Sequence, residues 1–186
     1  MKNLQITGIL IFALLISSCK PNPDKLIKQI AQSEKELYAA GNVVPDKTKV
    51  KELLDLYTKF ADSYSKDTMA PVYLYKAANL SMNTNQNDNA IAMIDRIIKD
   101  YSSYSKLPEA YFLKAFIYDN NIKNINKARE AYTMFLQKFP KSDLADDAAI
   151  SLDNLGKTPE QIINEFQVKE KMKADSIASV QTQKKK

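Results

Sequence analysis

The 186-residue sequence predicts an all-α protein built as a stack of about four helix pairs. Two segments, 70–102 and 108–140, match each other at an offset of 38 residues without a gap. Within each segment, apolar and small side chains recur at spacings of three and four residues, which places them on one face of each of two successive helices. A repeated unit of two helices buries its apolar faces by stacking on its neighbours.

Seven positions of the two segments correspond. In the first segment they are Tyr73, Ala77, Leu80, Ala90, Ile94, Ile97 and Tyr101, and in the second Tyr111, Ala115, Tyr118, Ala128, Tyr132, Phe135 and Phe139. Small Ala side chains let two helices approach closely, and the larger side chains fill the space between them. We therefore expect the Ala residues with Tyr73 and Tyr111 to form the core.

Asn-rich turns separate the two helices of each segment, at residues 83–89 and 119–126. Asn and Asp tolerate the left-handed conformation that ends many helices. We therefore expect each turn to contain an Asn or Asp in the left-handed conformation.

Weaker units flank the two strong ones. Before them, residues 26–40 predict a helix that stops at Gly41, and Leu53, Tyr57, Phe60 and Tyr64 repeat the spacing of a second helix. These two helices predict a first unit.

After Pro140, residues 145–155 predict a short helix that ends at Gly156. Thr158, Pro159 and Gln161 then provide an N-cap, a proline in the first turn and a capping-box partner. The helix that follows carries apolar side chains that we expect to close the stack: Ile162, Ile163 and Phe166.

The N-terminus predicts an export signal. A single Lys precedes an apolar run over residues 9–16, which is shorter than the roughly 20 residues that span a bilayer. Residues 16–19 read Ile-Ser-Ser-Cys and resemble a bacterial lipobox, which implies that Cys19 becomes an acylated N-terminus. The alternative is an ordinary cleaved signal with an incidental Cys. Several acyl chains would hold the protein on a membrane.

The residue after the Cys bears on the destination. Lys20 differs from the Asp that retains enterobacterial lipoproteins at the inner membrane, so the resemblance implies an outer-membrane lipoprotein, which we expect on the periplasmic face. Pro21 and Pro23 predict a non-helical spacer. We divide the chain into a signal peptide (1–18), the acylated Cys and linker (19–24), a repeat domain (25–168) and a Lys-rich tail (169–186).

The pattern of the two segments resembles the tetratricopeptide repeat, which has an aromatic and a small residue on its first helix and Ala, an aromatic and Pro on its second, and the resemblance covers about residues 25–167; residues 109–149 show it most clearly. They are similar to the variant in bacterial envelope lipoproteins of the BamD and TolA-binding type, including those of Bacteroidota. The resemblance implies a right-handed solenoid with strong repeats at about 69–102 and 107–140. The period of 38, instead of 34, is shared with envelope members of the family.

Composition excludes several kinds of catalytic chemistry. The chain has no His, one Cys and three Gly, which excludes Ser-His-Asp triads, His-ligated metals and glycine-rich phosphate loops. The alternate Asn residues of 83–88 have the spacing of a calcium loop, but Asp88 stands where Gly belongs and Ile94 where Glu belongs. Asp146 and Asp147 are adjacent on a helix and point about 100° apart, so they cannot share a proton. We expect no enzyme, metal, cofactor or small-molecule substrate.

The resemblance also implies a concave groove that binds partner segments. The positions carried over for it are Leu74, Ala78, Ser81, Met82, Phe112, Phe116, Asp119 and Asn120. Such a groove is mostly apolar and suits an apolar or aromatic segment of another envelope protein. Phe112 and Phe116 have a second interpretation, in which they pack inside the stack.

The net charge of +5 is concentrated at the chain ends. Residues 24–168 hold 19 basic and 20 acidic residues, whereas residues 169–186 hold six Lys against two acids. The export signal and this neutral body exclude a nucleic-acid partner. The tail is expected to be partly helical or disordered.

Two functions remain from the sequence. One is a non-enzymatic scaffold, held at the outer membrane by its lipid, that serves as an accessory of an envelope or outer-membrane-protein assembly complex. The other is a cell-wall or division coordinator whose basic tail contacts anionic envelope polymer.

Overall fold

The computed structural model describes residues 21–39 and 46–183, and every regular element among them is helical. The elements are α1 (Pro23–Ala39), α2 (Lys47–Ser63), α3 (Met69–Asn83), α4 (Asn87–Asp100), α5 (Leu107–Phe116) with a π-helical turn (Ile117–Asn121), α6 (Ile125–Lys138), α7 (Ala145–Asn154) and α8 (Pro159–Gln183). From α1 to α7, each helix packs against the next one along the chain. This is the all-α stack of helix pairs that the repeat predicts.

The 38-residue period is retained in the helix boundaries. The first helix of each strong unit spans 15 residues, as α3 in one unit and as α5 with its π-helical turn in the next. The second helices, α4 and α6, begin and end 38 residues apart. The predicted core is confirmed, since its members are all buried: Tyr73, Ala77, Ala90, Tyr111, Ala115 and Ala128.

The connections between pairs are also equivalent. Tyr64, Tyr101 and Phe139 end α2, α4 and α6 with φ of −129°, −132° and −131° and ψ of 48°, 57° and 53°. Each of these residues donates its backbone N–H to the carbonyl four residues earlier, at 2.9, 3.0 and 2.8 Å. The same aromatic cap therefore sets the direction in which each following helix begins.

The turns inside the pairs are only partly as expected. Asn85 is left-handed, with φ of 59°, but the left-handed residue of the second turn is Lys123, with φ of 58°, and not an Asn. Asn124 instead accepts a hydrogen bond from the Lys127 N–H at 3.0 Å and serves as the N-cap of α6. Because Asn124 serves as the N-cap of α6, the left-handed position of this turn falls on the residue before it, Lys123.

The N-terminal boundary is earlier than expected. Pro23 is the first residue of α1, so the prediction that it lies in a non-helical spacer is wrong. A proline at the first helical position loses no hydrogen bond, because the N–H groups of a first turn have no intrahelical acceptor. The predicted signal peptide and Cys19 lie outside the described residues, as does Gly41.

Glu34 connects the first unit to the second. Its Oε1 accepts from the Tyr57 hydroxyl and from Lys76 Nζ, both at 2.7 Å, which joins α1, α2 and α3. Burial raises the pKa of Tyr57, and the hydrogen bond to Glu34 raises it further. The first interface of the stack is thus polar at its edge and apolar beneath.

The stack ends differently from its middle. The predicted capping box is present: the Thr158 N–H donates to Gln161 Oε1 at 2.8 Å, and the Gln161 N–H donates to Thr158 Oγ1 at 3.3 Å. The turn before it contains Gly156 at φ +82°. As a result, α8 begins four residues earlier than the period of α4 and α6 requires.

The expectation that α8 closes the stack is wrong. Among its side chains up to residue 176, only Ile162 is half-buried, while Ile163 and Phe166 are exposed. The period explains why, since Glu170 stands where α6 has buried Tyr132 and α4 has Ile94, and Lys173 stands where they have Phe135 and Ile97. Charged side chains at these positions cannot form the apolar face of a second helix. The predicted boundary at residue 168 also falls within this continuous helix.

Candidate protein-binding surface

The groove predicted for the first strong repeat does not exist as an open surface. Leu74 and Ala78 are fully buried, so the expectation that they contact a partner is wrong, whereas Ser81, although only 1% exposed, lines a different concave surface that is described below. Leu74 and Ala78 share a core cluster with side chains of α4 and α5, which cover this face of α3. Met82 is half-buried and packs against the same cluster.

The second repeat is more open because less of the stack follows it. Phe112 packs edge-on against Tyr132 and Phe135, at centroid distances of 5.9 and 5.7 Å, so its core interpretation is the correct one. Phe116 is 37% exposed and remains at the surface.

Asp119 and Asn120 lie in the π-helical turn beside these aromatic residues. Asp119 is half-buried and accepts a long hydrogen bond of 3.5 Å from the Tyr132 hydroxyl. Asn120 is exposed and donates to the Phe116 carbonyl at 3.3 Å. Of the eight predicted groove residues, the structure leaves Phe116 and Asn120 exposed at the surface.

A larger concave surface lies between α2 and the α3–α4 turn. This cleft has a volume of about 880 Å³. Its α2 side is lined by Lys47, Val50, Lys51, Leu54, Asp55 and Thr58, and its other side by Ser81, Asn83, Thr84, Asn85, Gln86, Asn89 and Met93.

The cleft combines an apolar floor with a wall of amides. Buried Val50 and half-buried Leu54 and Met93 form the floor. The wall is formed by amide side chains of the turn and the start of α4: Asn83, Asn85, Gln86 and Asn89. Amide side chains both donate and accept, as peptide groups do, so this arrangement suits a polypeptide backbone above apolar contacts.

Part of the amide wall is already ordered. Gln86 donates from Nε2 to Thr84 Oγ1 at 3.0 Å and accepts from Asn89 Nδ2 at 3.2 Å. The cleft has three charged residues, of which Lys51 and Asp55 pair with each other at 2.7 Å and Lys47 is the third. The cleft therefore offers mostly neutral hydrogen-bonding groups.

Ser81 supplies a further polar group to the cleft. Its side chain is 1% exposed, and its Oγ has no hydrogen-bond partner within the described chain. A buried hydroxyl without a partner is uncommon and costs about 1–3 kcal/mol. A bound group that reaches Ser81 would satisfy this hydroxyl.

The cleft is not predicted from the sequence. The amide run of residues 83–89 predicts a turn there, and its departures from the calcium-loop pattern argue against a metal site. The α2 residues that oppose the run lie about 30 positions earlier, and no spacing rule connects the two segments. The run of amides was the one signal that could have indicated a polar binding wall.

The described residues contain neither a metal-ligand cluster nor a membrane-spanning helix. Within residues 21–39 and 46–183, no three acidic, Cys or His side chains are grouped as metal ligands would be. No helix in these ranges has the length and apolar character needed to cross a membrane.

Comparison with known families identifies the repeat. The family model of the tetratricopeptide repeat matches residues 73–104 and 109–142, each of which covers most of one helix pair, α3–α4 or α5–α6. No curated protein and no solved structure is significantly similar to the chain. The chain therefore contains tetratricopeptide repeats, and their helix pairs form its all-α solenoid.

Proposed function

We propose that the protein is a non-enzymatic scaffold that binds an extended segment of another envelope protein in the cleft between α2 and the α3–α4 turn. Tetratricopeptide repeats generally mediate protein–protein interaction, and the cleft offers what an extended segment requires. Val50, Leu54 and Met93 accept apolar side chains, while the amide wall hydrogen-bonds the backbone. The observation that carries the proposal is the unpartnered Ser81 hydroxyl beneath this wall.

In-cell photocrosslinking tests the cleft. A photoreactive residue at Asn89, which is exposed beside the apolar floor, is expected to capture a specific protein. The matched control is Asn126, an exposed amide in α6 outside the cleft. A synthetic peptide from the captured protein should then perturb the methyl NMR signals of Leu54 and Met93. Equal capture from both positions, or a peptide that leaves these signals unchanged, argues against the cleft.

The proposal includes a lipid anchor on Cys19 at the periplasmic face of the outer membrane. Its support is the Ile-Ser-Ser-Cys sequence after a short apolar run, followed by Lys20. Two or more acyl chains give stable attachment, because each buried CH₂ contributes about 0.8 kcal/mol. From the resemblance, we propose a role as an accessory of an outer-membrane-protein assembly complex or a similar machine.

Substitution at the acylation position tests the anchor. Cys19→Ser is expected to move the protein from the outer-membrane fraction to the soluble periplasmic fraction, whereas Ser18→Ala, which keeps a small residue before the Cys, leaves it bound. If Cys19→Ser remains in the outer-membrane fraction, the anchor is not the lipid. Mass spectrometry of the wild-type N-terminus identifies the acyl groups directly.

A second function has one observation in its favour. Lys169, Lys171 and Lys173 are exposed on α8, so the basic tail is accessible to anionic envelope polymer. Co-sedimentation with purified cell-wall sacculi tests this function with the wild-type chain and the triple Lys→Ala variant. Salt-sensitive binding that the variant loses supports the cell-wall function, and equal sedimentation of both proteins contradicts it.

A further inference from the structure

One register position of the repeat is progressively uncovered along the stack. Leu74, Phe112 and Ile150 are related by successive steps of 38 residues on α3, α5 and α7. Leu74 is fully buried, Phe112 is half-buried and Ile150 is 59% exposed. The sequence keeps an apolar side chain at this position even where the folded chain leaves it open.

The cover over Leu74 shows what is missing at Ile150. Leu74 lies in one core cluster with Ile94 and Ile97 of α4 and with side chains of α5. Over α7, the counterparts of the α4 residues are the charged residues Glu170 and Lys173 of α8, which is exposed on nearly all sides.

Acidic residues surround the open position. Asp146 and Asp153 lie four residues before and three residues after Ile150, on the same face of α7, and Asp147 lies beside Asp146. All three Asp residues are exposed. Because Asp153 pairs with Lys157 of the same chain at 3.6 Å, the negative charge that borders this apolar point comes mainly from Asp146 and Asp147.

The exposed face of α8 has the complementary composition. Ile163, Phe166, Glu170 and Lys173 follow each other at spacings of three, four and three residues, so they share one face, and Lys169 lies at its edge. This face therefore carries two Lys against one Glu beside its apolar residues. Ile163 is 57% and Phe166 is 65% exposed. Lys169 Nζ lies 3.7 Å from Asp153 in the same chain, a long contact at the surface.

We infer that the open end of the stack binds a second copy of this chain, with α8 of each copy lying antiparallel across α7 of the other. In this orientation Phe166 faces Ile150, and Lys169 and Lys173 lie near Asp146 and Asp147. Both halves of the contact are present in one chain, as a twofold-symmetric dimer requires. The 25 residues of α8 span about 37 Å, long enough to cross the 10-residue α7.

Sedimentation of the full chain purified in detergent, over a range of concentrations, tests the dimer. The wild type is expected to dimerise, and Ile150→Asp or Phe166→Asp each weakens dimerisation at least roughly tenfold, because a charge replaces a central apolar contact. Met134→Asp is the matched control, since Met134 is a 48% exposed apolar residue on α6 outside the proposed contact. Circular dichroism checks that each variant remains folded.

Charge reversal tests the pairing of α7 with α8. One copy carries Asp146→Lys with Asp147→Lys, and the other carries Lys169→Asp with Lys173→Asp. Each variant alone places like charges at both contacts of its dimer, whereas a mixture of the two restores opposite charges at both. Differently tagged copies should therefore pair in the mixture and fail to self-associate. A monomeric wild type, dimers unaffected by Ile150→Asp and Phe166→Asp, or reversed copies that do not pair overturns the proposal.

Discussion

Individual buried tyrosines couple the stability of this protein to alkaline pH. Burial raises the pKa of Tyr57, Tyr75 and Tyr132, and it raises the pKa of Tyr104 to about 12. In the unfolded chain these groups ionise near the ordinary value of 10.0. Their protonated forms therefore contribute stability that is fully present below pH 10 and is lost as the pH rises above it.

We accordingly expect the free energy of unfolding to be constant from about pH 7 to about pH 9.5 and to fall steeply beyond pH 10. Urea unfolding at a series of pH values measures this fall. In Tyr57→Phe the fall is shallower, because one hydroxyl with a raised pKa is absent. A fall of the same steepness in Tyr57→Phe and the wild type would exclude Tyr57 as a source.

Gly156 occupies a position where the fold disfavours any side chain. Its φ is +82°, and a Cβ added there would lie 3.3 Å from Ile125 Cδ1. Gly156→Ala is expected to lower the free energy of unfolding by about 1 kcal/mol or more, because the left-handed backbone disfavours a side chain and Ile125 must shift. Chemical denaturation measures the loss. Ala149→Gly is the control, because it removes one methyl group, the group that Gly156→Ala adds, at an exposed position inside α7.

The residues of the predicted groove show where local patterns fail. Leu74 and Phe112 occupy one register position, yet one is fully buried and the other is half-buried. Burial there depends on the side chains that the next unit supplies, so a pattern within one unit cannot decide between groove and core. The alanines of the helix interface were predictable because close approach within one pair requires them.

At the scale of elements, the existence of the helices was predictable and the packing of the last one was not. The capping box at Thr158 located the start of α8 from the sequence, because capping is a local interaction. Whether α8 folds back depends on its face toward α7, where Glu170 and Lys173 replace apolar residues. That replacement was visible only by extending the 38-residue period one step further.

Truncation within α8 tests its independence from the stack. A chain ending at Val168 is expected to unfold at the same urea concentration as the full chain, because none of the side chains described beyond residue 168 is buried. A chain ending at Leu144 also loses buried Ala148 and Leu155 of the last core cluster and should unfold at lower urea. A loss of stability in the first truncation would show that the distal half of α8 packs against the body.

For the molecule as a whole, contacts between neighbouring helices imply stability in local sections. Phe135 belongs to a core cluster built by α5, α6 and α7, whereas Phe60 belongs to one centred on α1, α2 and α3. Phe135→Ala should cost about 3–5 kcal/mol and speed amide hydrogen exchange mainly in α5–α7. Phe60→Ala should cost a similar amount and act mainly in α1–α3. Uniform acceleration throughout the chain in either variant would mean that the stack unfolds as one unit.

The equivalent aromatic caps at Tyr64, Tyr101 and Phe139 also bear on how such a chain can grow. Since α2, α4 and α6 end with the same backbone geometry, a duplicated copy of residues 69–106 would be joined at each end by a connection that already occurs in the chain. Gene duplication of that single stretch would lengthen the solenoid by one helix pair without requiring a new loop. For the same reason, a copy of one of the chain's own helix pairs could be inserted after α2, α4 or α6.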